Sequence, residues 1–356
     1  MNDRLERLLP HFAEAGIDAL YVTSEHNIHY LVGFGEESFL LVTRTGTMLF
    51  TDFRYVEEAE KLVTGAKVVR YGDDLYADIR SACDEHGVKT LGFESAAITH
   101  SAFSKLAAST CGLELRPTEG IVEKLRLIKE PAEIETIAQA ARIADAALVD
   151  ILPLLKPGVT ENDLSAELKY RIFLRGASDV SFKPIIAFDA NASLPHAKPG
   201  DRVLTANSMV QFDWGAKYRH YCSDCSRVFF IGEVPEEIEK IYNIVMEAND
   251  RAKAMLKPGA SLREVDAAAR NCIAEYGYGQ YFGHGLGHGV GLEVHEAPRL
   301  NTKSTYIARE GMIVTIEAGI YLPGIGGIRV EDLVAITSDG HRILTQLDRH
   351  PRNPLH

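Results

Sequence analysis

The run Ile313-Val314-Thr315-Ile316-Glu317-Ala318-Gly319-Ile320-Tyr321-Leu322-Pro323-Gly324-Ile325-Gly326-Gly327-Ile328-Arg329-Val330-Glu331-Asp332 decides the fold. Apolar, β-rich stretches flank a Pro- and Gly-rich centre, and Gly and Pro are the residues that a tight turn requires. The spacing predicts an antiparallel hairpin turning at Gly324. In that register Glu317 and Glu331 stand opposite each other, their Cβ atoms about 5 Å apart. Carboxylates buried in strands are costly unless a cation, a proton or a metal compensates them.

A second pair lies upstream. Val210-Gln211-Phe212-Asp213-Trp214 and Tyr221-Cys222-Ser223-Asp224-Cys225-Ser226-Arg227-Val228 also read as buried strands carrying carboxylates. If Asp213 and Asp224 face each other, their hairpin turns at Tyr218–Arg219. Two helical segments precede each strand pair, Ala132–Leu155 with Glu161–Gly176 and Pro235–Leu256 with Leu262–Gly277. The pattern falls short of a sequence repeat but predicts two pseudo-equivalent halves. Converging in one cavity, the four carboxylates would hold about two divalent ions, a hydrolytic arrangement.

Between the pairs runs Phe282-Gly283-His284-Gly285-Leu286-Gly287-His288-Gly289-Val290-Gly291-Leu292-Glu293-Val294-His295-Glu296, three histidines among many glycines. Glycine at this density lets backbone approach a ligand, and neutral imidazole is a common metal ligand. A zinc-protease helix is excluded by the same glycines. Cys222-Ser223-Asp224-Cys225 is a C-x-x-C, but residues three apart on a strand point to opposite faces, so it is not expected to chelate or cross-link.

The first 120 or so residues alternate between helical and strand patterns, an α/β domain without a phosphate-binding Gly-rich loop or a catalytic constellation. Helices are expected over the Leu5–Ala13 stripe (ending near Gly16), Tyr55–Leu62, Leu75–His86 and His100–Ala108. Strands are expected at Ala19–Val22, Phe39–Val42, Met48–Phe50, Lys67–Arg70 and Thr90–Phe93. The amphipathic Ile121–Ile128 stretch marks the changeover, giving domains 1–121 and 122–356. Pro131 suits the first turn of the helix that follows.

At 356 residues and 46% hydrophobic, the composition is that of an ordinary globular protein. A net charge of −12 argues against a nucleic-acid partner. No apolar signal core or membrane-length run is visible, and five cysteines imply no disulfide framework. A cytoplasmic location, with no membrane partner, is the expectation.

These stretches resemble the pita-bread metallopeptidases, specifically the proline-directed branch of Xaa-Pro dipeptidase (prolidase) and aminopeptidase P. The resemblance rests on Phe212–Ala216, Tyr221–Asp224 with Arg227, Gly287–Glu296, Thr315–Tyr321, Gly326–Asp332 and Leu194-Pro195-His196. Thr51-Asp52-Phe53-Arg54-Tyr55 and Glu123–Lys129 extend it to an N-terminal domain and linker. Ser226 stands where Thr is usual, Cys225 where an aliphatic is usual, Ala318 where Pro commonly follows the glutamate, and Asp189 where Gly is frequent. None of these departures removes a ligand. The implied fold is α+β: a pita-bread catalytic domain with pseudo-twofold halves, preceded by a smaller creatinase-like α/β domain.

The resemblance further implies two divalent ions, with Asp213 on one, His288 and Glu317 on the other, and Asp224 and Glu331 bridging. One imidazole among four carboxylates is an oxygen-rich set favouring Mn²⁺, with Co²⁺, Fe²⁺ or Zn²⁺ as alternatives. Glu317 would shuttle a proton, His295 would hydrogen-bond the scissile carbonyl, and Arg329 would support Glu331. His196 and His284 would line the substrate cleft, and Arg299 could hold a C-terminal carboxylate. The expected substrate is a small peptide with Pro at the second position, the dipeptidase favoured over aminopeptidase P. A metal-free amidinohydrolase and a binding protein on the same fold are the rivals from other classes. A homodimer is implied by the family.

Overall fold

The chain, described for residues 2–352 in a computed structural model, divides into two compact units, Met1–Arg126 and Leu127–His356. The first unit opens with α1 (Asp3–Leu8), α2 (Pro10–Ala15), β1 (Ala19–Val22), α3 (Glu25–Val32), β2 (Ser38–Thr43) and β3 (Thr47–Thr51). It continues with α4 (Val56–Leu62), β4 (Lys67–Arg70), α5 (Leu75–Glu85), β5 (Thr90–Glu94), α6 (His100–Ser109), β6 (Glu114–Thr118) and α7 (Ile121–Arg126). Its strands form one mixed sheet in the order β4-β3-β2-β1-β5-β6, with β1 antiparallel to β2 and parallel to β5.

Three features of this unit differ from the sequence expectation. The Leu5–Ala13 stripe is two helices, because Pro10 begins a new helix at its first turn. Strand β6 carries Pro117 and is only partly buried, so it lacks the apolar run that marks a strand. Helix α3 is hidden by its His- and Asn-containing sequence, which has little intrinsic helix preference. Tertiary contacts hold it instead: Asn27 Nδ2 donates to Glu94 Oε1 at 2.6 Å and to Glu123 Oε1 at 2.7 Å. The units part after Arg126, so α7 belongs with the first of them.

The second unit begins with α8 (Pro131–Ile151) and α9 (Glu161–Leu174). Glu133 accepts from the Glu130 N–H at 2.8 Å to cap α8, and Thr160 and Asp163 exchange the equivalent bonds at the start of α9. Strands β7 (Asp179–Val180), β8 (Ile185–Phe188), β9 (Ser208–Trp214), β10 (Ala216–Tyr218), β11 (Tyr221–Cys222) and β12 (Cys225–Ile231) follow. The pattern then recurs: α10 (Glu236–Met255) and α11 (Leu262–Glu275) precede β13 (Gly287–Gly289), β14 (Glu296–Leu300), β15 (Ile313–Ile316), β16 (Gly319–Leu322), β17 (Gly326–Arg329), β18 (Asp332–Ile336) and β19 (His341–Ile343).

Each helix pair covers strands of its own half. Ile143, Leu148, Leu164 and Leu168 pack with Ile186, Val210, Phe212 and Phe229, while Ile241, Val245, Val265 and Ala269 pack with Val314, Ile316 and Val334. Burial of such apolar faces is the main force holding helix to sheet. The Trp214 indole N–H also donates to the Ala144 carbonyl at 2.8 Å, pinning the end of β9 to α8. Among the described residues, no helix is long and apolar enough to cross a membrane.

Candidate metal centre

The second hairpin has the register its sequence predicts. Ile313 to Ile316 pair with Ala335 to Asp332, and Gly319 to Leu322 pair with Arg329 to Gly326, one continuous register around a turn at Gly324. Gly324 adopts φ +76°, a conformation that glycine takes without strain. The ladder is interrupted between its two segments, and Glu317 and Glu331 sit opposite each other in that gap. Asn249 on α10 fills the break: its Nδ2 donates to the Val330 carbonyl at 2.7 Å and its Oδ1 accepts from the Ala318 N–H at 2.9 Å.

The first hairpin departs from expectation. Its turn falls at Arg219–His220, with φ of 47° and 70°, a two-residue primed turn without the usual Asn-Gly signature. The register therefore sets Asp213 against Ser226 rather than against Asp224. Asp224 lies in the break between β11 and β12. The two aspartates still converge, because the hairpins meet at a bridge where the Glu331 N–H donates to the Ser226 carbonyl at 3.1 Å.

His288 stands on β13 between Gly287 and Gly289. A Cβ on Gly287 would overlap the Thr315 carbonyl, and one on Gly289 would overlap the Ala297 carbonyl. Only glycine lets β13 lie this close to its neighbours, and that closeness brings His288 Nε2 to 3.3 Å from Glu317 Oε1 and 3.6 Å from Asp224 Oδ2. His288 Nδ1 faces the Gly289 carbonyl at 3.1 Å, which leaves Nε2 toward the acids.

The ligand atoms group into three triads, each within 4.8 Å: Asp213, Asp224 and Glu331; His288, Glu317 and Glu331; and Asp224, His288 and His295. Asp224, Glu331 and His288 each belong to two of the three. Asp213 Oδ1 and Glu331 Oε1 are buried without a hydrogen-bond partner. Two orphaned carboxylate oxygens among clustered acids fit divalent cations, since an unpaired buried acceptor otherwise carries its full desolvation cost.

The electrostatics agree. Burial, then the charges of Glu331 and Asp213, pushes Asp224 well above the usual carboxylate range. Burial and Glu317 do the same for Glu331, and Asp213 is raised by burial against the pull of Arg329. Burial also acts to raise Glu317, but its contacts with His288 outweigh that and hold it down at about 2.

Arg329 donates to Asp213 Oδ2 at 2.5 Å, to Ser226 Oγ at 3.0 Å and to the Tyr321 hydroxyl at 3.0 Å. Ser226 Oγ in turn donates to Glu331 Oε2 at 2.9 Å, so Arg329 reaches Glu331 through the serine. His284 Nε2 lies 2.9 Å from the Tyr321 hydroxyl, and the rings of His288 and His295 are 4.3 Å apart. His196, His284, His295 and Arg299 line the same cleft, a cavity of about 1440 Å³ that also receives Asp213, Asp224, His288, Glu317, Arg329 and Glu331. Each candidate ligand and substrate-cleft residue named from the sequence thus lines one cavity.

Sequence reasoning passed over Asn249, Gln211 and Tyr321. Gln211 accepts from the Arg329 N–H at 2.9 Å and donates to its carbonyl at 3.0 Å. The available signal was a polar residue two positions before Asp213 on the same strand face. Cys222 and Cys225 are free and separately directed, to the Leu292 and Glu331 carbonyls.

Comparison with known proteins agrees with this geometry. Residues 135–338 match Metallopeptidase family M24, and residues 4–128 match the Creatinase/Prolidase N-terminal domain. The chain is similar to a solved Xaa-Pro dipeptidase from Bacillus anthracis, at 41% identity and TM-score 0.96, covering 98% of this chain and 99% of that one. It resembles an X-Pro aminopeptidase from Thermotoga maritima MSB8 at 34% identity and TM-score 0.90, with 98% and 99% covered. An Xaa-Pro dipeptidase of Pyrococcus horikoshii is 34% identical over 98% of each chain.

Proposed function

The chain belongs to metallopeptidase family M24, and from that membership we propose that it hydrolyses the bond between a first residue and a following proline in short peptides. The observation that carries the reading is the pair of orphaned oxygens, Asp213 Oδ1 and Glu331 Oε1, inside ligand triads that open on a cleft. Asp213, Asp224, His288, Glu317 and Glu331 would hold two divalent ions, with Asp224 and Glu331 shared. The oxygen-rich donor set supports Mn²⁺ over a thiolate-preferring metal. Such a pair supplies a lowered pKa for water and polarisation of the scissile carbonyl.

The chain's own residues do the rest. Glu317, ionised and held by the Thr315 hydroxyl at 3.1 Å, takes a proton from the attacking water and returns it to the leaving nitrogen. His295 donates to the carbonyl oxygen as it gains charge. Arg329 and Ser226 fix the orientation of Asp213 and Glu331. Proline offers no N–H and a fixed φ, so the cleft must recognise it by shape, with His196 and His284 on its walls. Arg299 pairs with a C-terminal carboxylate, which favours dipeptides. Family resemblance also supports a homodimer.

Turnover of Ala-Pro against Ala-Pro-Ala-Phe, with Mn²⁺ supplied and then removed by chelator, tests the reading. Faster metal-dependent cleavage of Ala-Pro is expected. Preference for the tetrapeptide would favour an aminopeptidase P activity instead, and rates that survive complete chelation would revive an amidinohydrolase.

A further inference from the structure

Charge is distributed unevenly between the cleft and the rest of the molecule. The chain carries a net charge of −12, yet the only carboxylates lining the cleft, among the described residues, are Asp213, Asp224, Glu317 and Glu331. Two divalent ions would neutralise those four. Apart from Arg329, which is paired with Asp213, what remains on the walls is positive: Lys169, Lys183, Lys198 and Arg299. None of these four makes an ion pair among the described residues, whereas Lys129 and Lys253 elsewhere in this unit are paired with Glu296 and Asp332.

The three lysines come from separate elements of the first half. Lys169 shares a face of α9 with Asn162 and Ser165, which line the same cleft at helical spacing. Lys183 lies in the segment between β7 and β8, and Lys198 follows His196. The loop carrying Lys198 is tied to α9, because the Asn162 N–H donates to the Gly200 carbonyl at 3.0 Å. Arg299 reaches the cleft from β14 in the other half. A concave, low-dielectric wall with one sign of charge focuses its field on whatever enters.

We propose that Lys169, Lys183 and Lys198 form an anion-selecting wall that gives this cleft a preference for peptides carrying a carboxylate beyond the one held by Arg299. The inference rests on the peptidase reading and deepens it by naming the substrate class. That carboxylate is an acidic side chain on the substrate, since the C-terminal one is the carboxylate held by Arg299. The wall acts on capture, so it governs kcat/KM at low substrate and weakens as salt shortens the Debye length.

The experiment compares Glu-Pro, Ala-Pro, Lys-Pro and Ala-Pro-amide on the metal-loaded full chain and on the Lys169→Gln, Lys183→Gln, Lys198→Gln triple variant, at 20 and 500 mM NaCl. At low salt the wild-type ratio of kcat/KM for Glu-Pro over Lys-Pro should be roughly fivefold to tenfold, the size of screened contacts with a few surface charges. The ratio should collapse toward one in the triple variant and in high salt. A collapse in the side-chain series supports the proposal, and a change confined to the comparison of Ala-Pro with Ala-Pro-amide overturns it, because the lysines would then only assist Arg299 at the C-terminus. Lys183 and Lys198 are exposed and Lys169 is half-buried, and each single variant serves as a check on folding. Unchanged ratios in a triple variant that still cleaves Ala-Pro overturn this inference alone. No wild-type turnover of any Xaa-Pro substrate overturns the peptidase reading, and this inference with it.

Discussion

Asp224 concentrates the electrostatic problem of the site in one side chain. It is buried, sits 3.6 Å from His288 Nε2, and belongs to two of the three ligand triads. Among its neighbours, the charges of Glu331 and Asp213 act most strongly to raise it, repelling it in the absence of a cation. Asp224→Asn keeps the shape and removes one of the mutually repelling charges. The metal-free variant should therefore melt no lower than wild type at pH 7, while turnover falls by more than about 100-fold, since even groups outside the coordination sphere cost 10–100-fold. Calorimetric titration with Mn²⁺ should show reduced stoichiometry or affinity. Wild-type rates at full metal loading would overturn the bridging role proposed for Asp224.

Between residue and fold, the decisive feature is an interrupted ladder. Glu317 and Glu331 occupy the gap between two halves of one hairpin, and Asn249 supplies the two backbone bonds missing there. Asn249→Leu leaves the Val330 carbonyl and the Ala318 N–H unpaired in the interior, each worth about 1–3 kcal/mol. The denaturant midpoint should drop accordingly. A purely structural role would stop there; a positioning role should also weaken Mn²⁺ binding by about 10–100-fold at a temperature where the variant is folded. This hairpin was legible in the sequence because Pro323-Gly324 marks its turn and β-branched residues mark its strands. The other was misplaced because Arg219 and His220 carry no turn signature while adopting positive φ. Asn249 was invisible for a different reason: its partners are backbone atoms about 70 and 80 residues away in the chain, and no local pattern reports such a contact. Helix α3 shows the same limit, since Glu94 and Glu123 stabilise what its own residues do not.

At the scale of the whole molecule, metal binding and proton binding should be linked. Asp224, Glu331 and Asp213 have folded-state pKa values raised above the ordinary carboxylate value near 4, with burial the largest cause. For such groups the sign is fixed. Their contribution to the metal-free fold is fully present below the unfolded pKa and is lost as pH rises through the folded values. Glu317, held at about 2, and Asp332, lowered by Arg227 and Lys253 despite its burial, stay ionised above pH 5 and add no slope there. His295, which burial lowers to about 4, stays neutral over the same range. Cations must displace the protons retained on the raised carboxyls, so binding releases more protons at pH 5 than at pH 8 and is correspondingly weaker. The rise in melting temperature on adding a fixed concentration of Mn²⁺ to chelator-treated protein should thus be larger at pH 8 than at pH 5. Comparing the same chain with and without metal at each pH cancels groups remote from the cleft. Each kcal/mol of differential metal binding moves the midpoint by about 2–4 °C in a domain of this size, so the difference between the two pH values is readable by thermal melting. An equal rise at both pH values would mean that the acids already share compensating partners, and the two orphaned oxygens would then need an explanation other than a metal.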